Sequence, residues 1–429
     1  MIANNIELLA PAGGFEQLSA ALNAGADAVY FGVGKLNMRS GAAVNFTIED
    51  LPEIVERCHA ANAKAYLTVN TVVYDWEIEE LYKLCDAAKA AKVDACIAGD
   101  IAVISYLRKI NMSVHITVQC NVCNMEAVRF YAQFADVMVL ARELPLEAVA
   151  HIIETIKQED LRGPSGNLVK IEIFAHGALC VAISGKCYMS LCTYNRSANR
   201  GQCLQNCRRK YKVVDESTGA ELVIDNNFVM SPKDICTIDF LDKILDSGVS
   251  VLKIEGRGRS ADYVKTTIEV YREAVDACKA GTFSKDAVPA WKARLSEVFN
   301  RGFWEGGYYL GKKLDEWCNA EGSLATIVKR YIGKVTNYYP RIQVAQVKLE
   351  ACKMPPESRV LITGNVTGAL DFTLGEMQID GTVVAEAPQG SEITFKLADR
   401  VRVGDKVYLL LDRDDELNIS KPTWQPPEK

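Results

Sequence analysis

Four cysteines share one short basic stretch of this chain: Cys180, Cys187, Cys203 and Cys207, spaced C-x6-C-x15-C-x3-C. Between Ile173 and Val214 there is no Asp or Glu, whereas Lys186, Arg196, Arg200, Arg208, Arg209, Lys210 and Lys212 all fall there. Nearby cations lower a thiol pKa and favour the thiolate, the form that binds metal. Soft thiolates suit both iron–sulfur clusters and zinc. A 4Fe–4S cluster on four thiolates is anionic, and a basic collar would offset its charge. Zinc ribbons usually carry two close pairs such as C-x2-C, and here only the C-x3-C end comes near that pattern. Spacing alone leaves three readings open: an iron–sulfur site, a zinc site, or thiols that are free or buried.

Other cysteines have plainer readings. Cys120 and Cys123 form a C-x2-C that could be a redox pair or part of a second metal site; with no partner pair in the sequence, an inward strand residue plus a helix-start thiol explains it as well. Cys236 is a reserve ligand at a helix start. Cys58, Cys85, Cys96, Cys192, Cys278, Cys318 and Cys352 are read as structural.

The elements that must position these residues follow from the pattern of the first 256 residues, where short β-branched runs alternate with amphipathic stretches. Eight strands are expected, at 7–12, 27–33, 64–70, 94–100, 113–119, 136–143, 170–174 and 250–255. That count fits an α/β fold of the (β/α)8 type, with the cysteine-rich segment at about 175–212 inserted after the seventh strand. A doubly wound open sheet is the alternative, but no G-x-G-x-x-G follows the first strand. The stretch 211–230 reads as a hairpin. From 332 the texture changes to short alternating strands with turn residues, predicting a small C-terminal all-β barrel. The expected layout is a catalytic barrel over 1–315, a linker at 316–331, the β-domain over 332–418 and a loose tail at 419–429.

Length and composition permit two soluble domains: 429 residues, 49% hydrophobic and 24% charged. No apolar run approaches the roughly 18–20 residues that span a bilayer. The first residues lack a basic n-region, so no signal peptide is expected. Fourteen cysteines without an export signal point to the cytoplasm and to metal chemistry over a disulfide framework. A formal charge of −6 excludes a uniformly basic nucleic-acid binder but not a local phosphate-gripping patch.

In a parallel barrel the carboxyl ends of the strands face one mouth. Tyr30, Asn70, Asp100, Gln119, Arg142, Glu143, His176, Lys253, Glu255 and Arg257 fall there. His176, Glu255 and Arg142 are candidate catalytic groups, although a lone His near a metal site is more often a supporting hydrogen-bonder. Arg142 with Glu143, and Lys253 with Glu255, could instead simply neutralise one another. Arg39, Lys253 and Arg257 are candidates for holding a carboxylate or phosphate, with Asn70 and Gln119 beside them.

Six segments in order carry a resemblance over nearly the whole chain: ELLAPAG (7–13), GADAVYFG (25–32), AREL (141–144), the stretch 172–190, NRGQC with CRRKY, and KIEGR (253–257). Together they resemble peptidase family U32, the collagenase-like family, and within it the prephenate-dependent tRNA uridine 5-hydroxylases. The resemblance implies a 4Fe–4S protein that converts wobble uridine to 5-hydroxyuridine in tRNA, with prephenate supplying the oxygen. Its cluster ligands would be Cys180, Cys187, Cys203 and Cys207. Arg39, Lys253 and Arg257 would bind prephenate carboxylates, and Arg200, Arg208, Arg209 and Lys210 would contact tRNA or screen the cluster. CNVC at 120–123 falls outside the family pattern. Two rival classes remain: a protease, for which no G-x-S-x-G or H-E-x-x-H is present and only four histidines could serve as bases, and a non-catalytic subunit that pairs with a homologue.

Overall fold

The computed structural model describes residues 6–222, 230–312, 316–320 and 322–415. Eight parallel strands close in sequence order: Glu7–Ala12, Ala28–Gly32, Lys64–Val69, Ala95–Ala98, Val114–Ile116, Val137–Val139, Lys170–Gly177 and Val251–Ile254. The eighth pairs with the first, Val251 opposite Glu7, and with the seventh, Val251 opposite Glu172. The sixth pairs with the seventh, which completes the (β/α)8 ring.

Both faces of these strands are buried, so each sequence reads as a nearly continuous apolar run. On one face Leu8, Ala10 and Phe31 pack against the surrounding helices, including Leu146–Gln158 and the long Ala261–Ala280. On the other, Leu9, Tyr30, Tyr66, Ile97, Val137 and Val251 form the barrel interior. Most strands end earlier than the sequence reading placed them, because the polar residues at their ends leave the ladder to do other work. Asp100, for example, caps the helix Ile101–Lys109 by accepting from the Ala102 amide at 2.9 Å. The seventh strand is longer than expected, reaching Gly177. There a short antiparallel strand, Ile235–Cys236, supplies extra partners, with Cys236 opposite His176.

The cysteine insertion follows the seventh strand. It contains a short helix, Met189–Tyr194, single 3-10 turns, and a two-residue pairing of Val213–Val214 with Glu221–Leu222. The rest of the expected hairpin includes residues 223–229, which lie outside the described set.

The C-terminal unit is a separate antiparallel sheet of eight strands, opening with Ile327–Tyr339 and ending with Lys406–Asp412. Its first strand thus begins inside the stretch read as linker. Its own core includes Ile332, Val347, Ile362, Ile393 and Val407. It seats on the barrel through Ala20, Ala261, Leu361 and Ala369. Polar links frame that seam: the Ser19 hydroxyl donates to the Asn365 carbonyl at 2.7 Å, Lys329 pairs with Asp262 at 2.6 Å, and Arg359 pairs with Glu297 at 2.8 Å. The tail expected at 419–429 lies outside the described residues. Among the described residues no helix is long and apolar enough to cross a membrane.

Candidate active site

The carboxyl ends of the barrel strands and the underside of the insertion enclose one cavity of about 170 Å³. All four clustered cysteines line it. So do Arg39, Asn70, Gln119, Arg142, Lys253, Glu255, Arg257 and Arg208. Residues as far apart in sequence as Arg39 and Arg257 meet here because parallel strands deliver their carboxyl ends to one face.

Glu255 is the anionic centre of the floor. Arg39 donates to its Oε1 at 2.5 Å and the Tyr30 hydroxyl reaches Oε2 at 3.3 Å. Burial alone would raise this carboxyl, but Arg39, Arg142 and Arg257 outweigh it and hold the pKa at about 2. Arg257 is itself buried and its pKa is pushed down to about 10 by desolvation. Its fork is fixed by Thr68 Oγ1 and Asn37 Oδ1, both at 2.9 Å. Gly32 makes room for it: a Cβ there would run into Arg257 Nη1 and the Asn37 amide. Arg142 lies over the Phe174 ring at 3.9 Å and donates to the Ala178 carbonyl at 3.0 Å, while its buried Nε has no partner.

The charge pairs differ from those that adjacency in sequence suggests. Lys253 turns inward to Glu172 at 2.8 Å, a fully buried pair, and its ammonium also sits 4.5 Å from the Tyr30 ring centroid. Glu255 pairs with Arg39 instead, and Glu143 is exposed, with no ion pair to Arg142. Lys253 and Glu255 each meet a partner that ring closure brings from elsewhere in the sequence, Glu172 on the seventh strand and Arg39 on the loop after the second.

Three of the thiols sit on loops of the insertion, and Cys207 in the 3-10 turn Asn206–Arg208. Cys180 and Cys203 are exposed, Cys187 and Cys207 half-buried. Burial raises the Cys207 thiol; Arg208 opposes that, and Cys180, Cys203 and Cys187 lie close enough to add their own charge effects. Among the described residues no three His, Cys, Asp or Glu side chains converge in the geometry of a single metal ion. The insertion crosses close over Gln119 at Gly185, a positive-φ residue whose Cβ would strike the Gln119 side chain.

Of the cations expected to meet RNA, two are committed elsewhere. Arg200 forms a two-pronged ion pair with Glu77, donates to the Val72 carbonyl at 2.7 Å and covers the Tyr74 ring at 4.3 Å. Arg208 donates to the carbonyls of Leu179 and Pro232 and to the Ser231 hydroxyl, tying the insertion down. Arg209 remains exposed, beside Tyr194.

His176 does not line the cavity. It is buried among Tyr263, Tyr271 and Phe303, and desolvation depresses its pKa to about 3. This placement gives it packing neighbours instead of access to substrate. Asp100 is a helix cap, and neither Cys120 nor Cys123 lines the cavity. Asn37, Thr68 and Arg301, which hold or line the site, went unnoticed in the sequence. Asn37 is fully buried in the loop after the second strand, and nothing in its local pattern marks it.

Residues 13–319 match the sequence model of peptidase family U32. A protein of Porphyromonas gingivalis named collagenase is 47% identical over 97% of this chain and 100% of its own length. The tRNA hydroxylation protein P1 of Bacillus subtilis is 35% identical over 79% of each chain. The 23S rRNA 5-hydroxycytidine C2501 synthase of Escherichia coli is 34% identical over 64% of this chain and 40% of its own. With a parallel barrel whose mouth gathers the motif residues, and with a match over most of its length, the chain belongs to peptidase family U32.

Proposed function

We propose that this protein is an RNA hydroxylase, and specifically that it converts wobble uridine of tRNA to 5-hydroxyuridine using prephenate as oxygen donor. The observation that carries this reading is the shared cavity: four thiols on its upper wall and Arg39, Arg142, Arg257 and Lys253 below. The donor set suits a 4Fe–4S cluster on Cys180, Cys187, Cys203 and Cys207. The ligands are all thiols, no histidine lines the cavity, and they stand apart instead of meeting at one ion. Such a cluster would supply one-electron redox chemistry at the cavity wall.

The chain's own groups supply binding and orientation. Replacing C5–H by C5–OH oxidises the uridine by two electrons and reduces the oxygen donor by two. A dicarboxylate donor needs fixed cations, and Arg142, with its unpartnered Nε, and Arg39 are placed to offer them. Glu255 offsets the repulsion among the cations and fixes the direction of Arg39 before substrate arrives. The names of the Bacillus and Escherichia relatives support RNA hydroxylation as the reaction class.

The Porphyromonas relative's name favours a second reading, a peptidase. A Ser–His or Cys–His hydrolase needs a base beside its nucleophile. Here His115 and His176 are buried, His59 pairs with Asp94 on the surface, and none of the four histidines lines the cavity. A third reading, a non-catalytic subunit, requires a homologous partner.

Nucleoside mass spectrometry of tRNA from a strain lacking this protein and its homologues decides among these. Complementation by wild type but not by Cys187→Ala is expected to restore 5-hydroxyuridine derivatives. No restoration by wild type would defeat the stand-alone tRNA hydroxylase reading, and peptide hydrolysis that survives iron removal would establish the peptidase.

A further inference from the structure

The insertion carries seven cations and no carboxylate between Ile173 and Val214, within a chain whose formal charge is −6. Arg200 and Arg208 are held internally, and Lys212 pairs with Glu221. Lys186, Arg196 and Arg209 stand differently: each is exposed, and among the described residues none has a carboxylate partner. Interleaved with them are two exposed rings, Tyr188 at 65% and Tyr194 at 44% exposure. The Arg209 guanidinium lies 5.2 Å from the Tyr194 ring centroid and donates to its hydroxyl, so ring and charge form one unit.

This surface borders the cavity. Cys187 lines it, and its two neighbours in sequence are Lys186 and Tyr188. We propose that the outer face of the insertion docks a single-stranded RNA loop, with Tyr188 and Tyr194 stacking unpaired bases and Lys186, Arg196 and Arg209 holding phosphates. The inference rests on the RNA-substrate reading and names the surface that serves it. An enzyme that works on a base must take it out of its stack, and the flanking nucleotides then need a platform at the rim. Aromatic faces beside free cations meet that need, whereas a duplex would offer its stacked bases to neither. A second exposed aromatic pair, Tyr74 and Trp76, stands among the exposed Asp75, Glu79 and Glu80, which repel phosphate, and the Arg200 guanidinium over Tyr74 is committed to Glu77.

The test is fluorescence anisotropy of a labelled RNA hairpin with an unpaired loop, and of the same sequence annealed to its complement, across a salt series. Tyr188→Ala and Tyr194→Ala are expected to weaken loop binding by about 5- to 150-fold each, the range for one lost base stack, with little effect on the duplex. Lys186→Glu, Arg196→Glu and Arg209→Glu are expected to reduce the slope of log affinity against log salt by about one each. All five side chains are solvent-exposed, and circular dichroism checks that each variant folds. If wild type binds the loop and these variants bind it equally well, the surface is overturned while the RNA reading stands. If wild type binds no RNA, both fall. If the variants keep RNA binding but lose self-association on gel filtration, the surface belongs to a protein partner and the proposal is overturned.

Discussion

At the scale of single residues, the cavity floor gathers cations around the Glu255 carboxylate, each fixed by its own partners. Because Arg39, Arg142 and Arg257 hold Glu255 at about 2, it stays ionised in the folded protein at any ordinary pH. Its contribution to stability is full above the usual carboxylate pKa and is lost only as pH falls through about 2. Arg142 is the floor cation with an unpartnered buried nitrogen. On the proposed reaction, Arg142→Met should raise the KM for prephenate by roughly 10- to 150-fold, the worth of a charged hydrogen bond, with an unchanged circular dichroism spectrum. Steady-state kinetics with prephenate varied checks this, and an unaltered KM would remove Arg142 from donor binding. Gly32→Ala acts on the same floor from below. Its new methyl meets Arg257 and Asn37, so the expected cost is about 1–3 kcal/mol of stability, read from the urea midpoint, together with lost activity.

At the scale of elements, the insertion is a roof fastened at few points, and Arg200 is one of them. Its ion pair with Glu77 joins the insertion to the loop after the third strand, across 123 residues of sequence. Arg200→Ala should speed amide exchange over the described part of 180–212 while leaving the barrel strands protected, measurable by hydrogen-exchange mass spectrometry. Equal protection in the variant would mean that the remaining ties hold the roof without it: the Arg208 bonds, and the Gly41 and Val72 amides donating to the Gly201 and Asn199 carbonyls. The eight strands were legible in the sequence because burial on both faces imposes continuous apolar runs such as AVYFG, and the thiols because four cysteines in an acid-free stretch are conspicuous. The pairings were not. Arg200 with Glu77, Glu255 with Arg39, and Lys253 with Glu172 depend on which side chains the closed ring brings face to face, and no local periodicity encodes that. His176 shows the same limit: its position beside the cysteines suggests chemistry, yet Tyr271 and Tyr263, nearly a hundred residues on, enclose it.

At the scale of the whole molecule, two buried neutral histidines set the acid limit. Burial depresses His115 and His176 to about 3, whereas both would protonate near the ordinary histidine value once unfolded. Depressed bases of this kind contribute stability that is complete above about 6.5 and declines as pH falls towards 3, by up to about 3 kcal/mol each at pH 4. Urea unfolding at pH 7 and pH 4 should therefore show a much lower midpoint in acid. His176→Phe, which keeps an aromatic ring in the same nest, should narrow the gap, and an equal gap in the variant would mean that other groups govern acid sensitivity.

None of the four cavity thiols belongs to either hydrophobic core. On the proposed ligation, ring closure and helix packing can therefore finish before any iron arrives, in contrast to a zinc finger, where metal and fold come together. Maturation would be a late step performed on a finished scaffold. During iron scarcity a cell would then accumulate an intact but idle pool, and recovery would follow the pace of cluster delivery instead of ribosomal synthesis.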